Sequence, residues 1–159
     1  MGAFERHPVA AVDLIVDTLM DEMDADFNAG DLSLREAVFI ANLRPGADTI
    51  RFETSLSNGT ILLTRGELVI FDVLTIDATA LMDGLTIDAS GNDPTPDEIK
   101  WDGSRIFNID DGDNETDSPV AMRGLTLTGG DSSDVGGAVR TSEELTVTSS
   151  TISGNSVRR

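Results

Sequence analysis

The tetrapeptide Leu-Thr-Ile-Asp occurs twice, at Leu74 and Leu85, and close variants follow at Leu125 (LTLT) and Leu145 (LTVT). Its apolar residues are two apart, the spacing that puts alternate side chains on one face of a β-strand. The last two copies belong to a longer repeat. Val120 aligns with Leu145, Met122 with Val147, Leu127 with Ile152 and Gly129 with Gly154, an offset of 25 residues. A unit of that length, made only of short strands and turns, is too short for a propeller blade and lacks the helix of most other repeats. The pattern therefore predicts a parallel β-solenoid of about four coils, roughly 20 Å tall. Its leucines should form inward ladders, with Thr126, Thr128, Thr146 and Thr148 outward.

Other period-two runs fill the chain after Pro45: ADTIRF, GTILLT, GELVIF, SRIFNID and GGAV, separated by Gly, Asn, Asp and Ser turns. Before Pro45 the period is different. Ser33 and Glu36 have the S-x-x-E spacing of a capping box. Leu34, Ala37, Val38 and Ala41 recur at helical spacing, and Pro45-Gly46 ends the pattern. A helix of roughly ten residues is not stable alone. A solenoid leaves an open apolar end and unpaired strand edges, so this helix reads as its lid. The expected organisation is a disordered leader over 1–11, a cap module over 12–55 (strand, acidic loop, helix) and β-coils over 56–159. The last segment, STISGNSVRR, reads as an exposed coil, so the coils are expected to be truncated there and able to self-associate.

Composition limits the partners. With 29 acidic and 11 basic residues the net charge is −18, which repels nucleic acid and anionic membranes. Aromatic residues make up 4%, with no tyrosine, so the core must be aliphatic. No cysteine is present, which excludes disulfides and thiolate metal sites. No apolar run approaches the ~20 residues of a membrane span. The N-terminal stretch lacks the basic-then-apolar pattern of a signal peptide.

The segments DLSLREAV, IANLRPGADTIRF, GTILLTRGELVI, LTIDA, RIFNI, GLTLTGG, GGAV and LTVTSSTISGNS, in that order, resemble the bacterial CSLREA-domain proteins. The resemblance runs from about Val12 to the end, with Leu32 standing where the motif has Cys. It implies an all-β fold, a right-handed parallel β-helix with an N-terminal capping α-helix, in a secreted or cell-surface protein. It implies no single activity, since such folds host lyases, epimerases, adhesins and stalks alike.

Several groups can carry chemistry. Asp24, Asp26 and Asn28 have the 1-3-5 spacing of calcium-loop oxygen ligands, with Gly30 for a turn and Glu36 to close the site. An EF-hand places its Gly and Glu one position earlier, and a solvated loop is the plainer reading. Asp110, Asp111, Asp113 and Asp117 form a second acidic run that reads as a cation site or a solvated turn. Asp77 and Asp88 occupy equivalent places in the two LTID runs. Stacked outward, they could hold calcium for a lyase with Arg65, Arg105 or Arg123 as base, or act as a general acid/base pair on a glycoside. Trp101, the only tryptophan, could stack on a sugar but more simply packs across the insertion 91–102. His7 has no partner in sight, and the turn GGDSSDVGG lacks the Lys and helix of a phosphate loop.

The reading that follows is a non-catalytic structural or binding module of a secreted or cell-surface bacterial protein, adhesin-like or stalk-like. Its polar face would meet carbohydrate, cations or other surface proteins, and Ser33, Leu34, Arg35 and Glu36 would serve as the structural cap. No cofactor is required, and calcium is the ion considered. The alternative is a polysaccharide-acting enzyme: a calcium-dependent lyase, an epimerase or a glycoside hydrolase.

Overall fold

The computed structural model describes residues 10–98 and 100–158. The expected leader over 1–11, apart from Ala10 and Ala11, lies outside the described residues, as does His7.

The strands, in chain order, are β1 (Asp13–Val16), β2 (Asp48–Phe52), β3 (Gly59–Leu62), β4 (Leu68–Ile70), β5 (Leu74–Asp77), β6 (Leu85–Asp88), β7 (Phe107–Ile109), β8 (Val120–Arg123), β9 (Leu125–Thr128), β10 (Asp131–Ser132), β11 (Val139–Thr141), β12 (Leu145–Thr148), β13 (Thr151–Ile152) and β14 (Ser156–Val157). Among the described residues there is one α-helix, α1 (Leu34–Leu43), between β1 and β2. The strands form four sheets: β1-β2-β5-β8-β12, β13-β9-β6-β3, β11-β7-β4 and β10-β14. Each described pairing is parallel.

The expected all-β class and right-handed parallel β-helix are corrected by this arrangement. The fold is α/β-like: several small parallel sheets share one core with a helix. Leu34, Ala37, Val38 and Ala41 of α1 lie in the same buried cluster as Ile50, Ile61, Ile70, Ile76, Ile87, Phe107 and Leu127. The even 25-residue coil is not kept either. Val120 lies beside Leu145, but Leu74 lies beside Val120 across a far longer stretch. Nor do the four LT runs make one ladder. Leu74 and Leu145 belong to the five-stranded sheet, on either side of β8, while Leu85 and Leu125 pair directly in the four-stranded sheet. Period-two alternation specifies which face of a strand is buried, not which strand lies next to it.

Within each strand the alternation decides burial. In β5 and β6 the Leu and Ile side chains are buried, and the Thr and Asp between them are half-buried. Among the described residues the core is aliphatic apart from Phe52, Phe107 and the thioether of Met122. Helix α1 starts at the Ser33 N-cap with both halves of the capping box formed. Its apolar stripe packs on β1, β2 and β4.

Candidate functional site

The acidic loop before α1 is tied to the start of the helix by Glu36. Glu36 is fully buried. Its Oε2 accepts from the Ser33 N–H at 3.1 Å and the Ser33 hydroxyl at 3.0 Å. Its Oε1 accepts from the N–H groups of Asp24 and Ala25, at 3.1 and 3.2 Å. The carboxylate expected to close a calcium loop is thus spent on backbone donors. Asp24, Asp26 and Asn28 are exposed and chained to one another: the Asp26 N–H donates to Asp24 Oδ1, and the Asn28 N–H donates to Asp26 Oδ1. Burial and the nearby charges of Asp31, Asp24 and Glu36 raise the Glu22 carboxyl above its ordinary range. Burial, Asp24 and Asp26 do the same to Asp31.

The candidate catalytic residues are not brought together. Asp77 lies on β5, where its Oδ1 accepts from the Thr79 N–H and hydroxyl and its Oδ2 stands 3.6 Å from Arg51 Nη1. Burial raises its pKa, but the Thr79 hydrogen bonds and the charges of Arg51 and Arg123 overcome this and hold it low. Arg123 is its register partner on β8. Asp88 is on a different sheet, opposite Thr128, and accepts from the Ser90 N–H at 2.8 Å. Arg105 belongs to a third group. It sits 3.2 Å from Glu67 Oε2 and 3.8 Å from Asp134 Oδ2, and donates to the Ser132 hydroxyl at 3.2 Å. Glu67 also accepts from Asn108, which in turn accepts from Arg140 at 3.0 Å. These residues form a polar seam along the three-stranded sheet. Arg65 donates from Nε to the Asp21 carbonyl. Trp101 is half-buried in its loop with a positive φ of 56°.

Among the described residues, two acidic trios bring one carboxylate oxygen from each member to within 4.8 Å of the others: Asp93, Asp102 and Asp131, and Asp110, Asp111 and Glu143. Such groups can hold a metal ion. The second trio contains two members of the acidic run read from the sequence, but Glu143 takes the place of Asp113 and Asp117. Its oxygens are already engaged. Glu143 accepts from the N–H groups of Asp111 (3.3 Å) and Ser118 (2.9 Å), and Asp110 accepts from the Gly112 N–H and from Arg140. The Gly112 N–H, against some burial and with Arg140, holds the Asp110 carboxyl below the usual range. The Glu115 N–H and the Thr116 hydroxyl do so for Asp113.

No local sequence pattern marks the first trio. Asp131 sits in GGDSSDVGG, which reads as a turn, and Asp93 and Asp102 bracket the Trp101 insertion. The insertion's acidity was the available signal, but its third member comes from the distant β10.

Two outward faces carry threonine in register. Thr60, Thr86, Thr126 and Thr151 line up across β3, β6, β9 and β13. Thr49 and Thr75 line up across β2 and β5, and Thr146 continues the column beyond Ala121. Neighbouring parallel strands put such hydroxyls about 4.8 Å apart. No helix of the described chain is long and apolar enough to cross a membrane. No family model, no curated protein and no solved structure matches the chain.

Proposed function

We infer that the chain is a non-catalytic structural and binding module of a secreted or cell-surface bacterial protein, and that its threonine face meets neutral carbohydrate. The column Thr60–Thr86–Thr126–Thr151 carries this reading. Evenly spaced hydroxyls on a sheet offer donors and acceptors that match sugar hydroxyls, and a sheet keeps them preorganised. The net charge of −18 disfavours polyanionic polymers. The likeness to CSLREA-domain proteins supports the surface setting. Calcium is the ion proposed for the acidic trios, since hard oxygen ligands select it. The polysaccharide-cleaving alternative needs paired carboxylates across one bond, and Asp77 and Asp88 stand on separate sheets.

The test is co-sedimentation with insoluble neutral polysaccharides. The Thr86→Lys/Thr126→Lys variant should bind at least tenfold more weakly at an unchanged melting temperature. Equal binding by the variant would remove this face from the reading.

A further inference from the structure

We propose that Asp93, Asp102 and Asp131 hold a divalent cation of the calcium type, which ties the loop after β6 to the strand β10. This rests on the calcium part of the reading above and gives it a place. The three ligand oxygens lie within 4.8 Å of one another, about twice a calcium–oxygen distance. Asp131 is 5% exposed. Its Oδ1 accepts from the Ser156 hydroxyl, but its Oδ2 is buried with no hydrogen-bond partner among the described residues. A buried carboxylate oxygen without a donor is costly, and a cation supplies what it lacks.

The surroundings are shaped to the same end. A cleft of about 120 Å³ is lined by Asp93, Glu98, Asp131 and Ser156, among others. Thr95 fixes the two loop aspartates: its N–H donates to Asp93 at 2.7 Å and its hydroxyl to Asp102 at 3.0 Å. Gly103 lets the loop press against β10. A Cβ there would lie 3.0 Å from the Asp131 carbonyl oxygen and 3.1 Å from the Asp93 Cβ. The described ion pairs all fall on other carboxylates. The trio of Asp110, Asp111 and Glu143 has backbone and Arg140 donors on its oxygens and, among the described residues, no buried oxygen without a partner. A cation at Asp131 therefore joins segments that local structure alone leaves mutually repulsive.

Trp101 precedes Asp102 directly and is the only tryptophan in a chain without tyrosine, so it reports the site. Terbium is titrated into the intact chain while Trp101 is excited, and calcium is then added as competitor; calcium binding is also followed by calorimetry. Wild type should give saturable terbium emission that calcium displaces. Asp131→Asn and Asp102→Asn should each weaken binding at least tenfold with an unchanged far-ultraviolet spectrum. In chelator, Asp131→Asn should melt at or above wild type, because it removes a buried unpartnered charge. Asp102 is exposed, so its variant keeps the test valid if Asp131→Asn fails to fold. Wild-type affinity in the folded variants would overturn the proposal. Loss of binding in Glu143→Gln alone would move the ion to the other trio, overturning this site while leaving the calcium reading standing. No calcium binding by wild type would overturn both.

Discussion

Arg35 and Asp21 meet fork to fork, Nε to Oδ1 at 2.6 Å and Nη2 to Oδ2 at 3.1 Å, with 13% and 2% of the side chains exposed. Asp21 Oδ2 also accepts from the N–H groups of Thr64 and Arg65 at 2.7 and 3.1 Å, and Arg35 donates to the Gly66 carbonyl at 2.8 Å. This pair fastens the acidic loop and α1 to the chain that enters β4. Removing one partner of a buried pair leaves the other charge uncompensated, at a cost of about 3–5 kcal/mol. Asp21→Ala should lose about that much in urea denaturation. A loss under about 1 kcal/mol would class the pair with surface ion pairs.

Glu36 and Ser33 should differ in what they contribute. Ser33→Ala removes a capping hydroxyl, at about 1 kcal/mol. Glu36→Ala frees the Ser33, Asp24 and Ala25 N–H groups together; the Ser33 group is buried and costs about 1–3 kcal/mol when left unpaired, while the other two can turn to water. Chemical denaturation of both variants and the double variant should give the larger loss for Glu36→Ala and non-additive behaviour, because the two residues share hydrogen bonds.

The carboxyls with raised pKa set a pH dependence. A group that holds its proton more tightly when folded favours folding at low pH and loses that contribution as pH rises through its folded pKa. Glu22 and Asp31 are of this kind. Glu22→Gln should therefore raise the melting temperature at neutral pH, with the gain shrinking as pH falls through the raised folded pKa and gone by the ordinary glutamate range. Asp77, Asp110 and Asp113 act in the opposite sense: their contribution is present at neutral pH and fades as pH falls. Asp113→Asn should lower the neutral-pH melting temperature and have less effect in acid. A gain for Glu22→Gln that grows in acid would contradict the assignment.

Phe107 is fully buried in β7, the middle strand of its sheet. Phe107→Ala should cost about 3–5 kcal/mol through the lost transfer energy and the cavity left behind, read as a shift in the denaturation midpoint at unchanged slope.

The parts legible in the sequence are those closed by local bonds. Ser33 and Glu36 bond within one helical turn, so their spacing alone marks where α1 begins. The LTID runs read as strands because burial alternates within four residues. Their neighbours are another matter. Asp77 and Asp88 share the same local sequence yet lie on different sheets, since Ala78–Gly84 carries the chain from one sheet to the next. The Asp24–Asn28 spacing matches a calcium-loop ligand set, but Glu36, the residue that would close it, accepts from the Asp24, Ala25 and Ser33 N–H groups. The trio of Asp93, Asp102 and Asp131 forms only where distant segments meet, which no local pattern encodes.

The proposed function is binding without chemistry. The most direct measurement incubates the protein with a panel of neutral polysaccharides and determines bound protein and soluble sugar products in the same sample. The expected result is retention of the protein on intact polymer. Release of reducing ends or unsaturated sugars, lost in Asp77→Asn, would contradict the account and make the chain an enzyme.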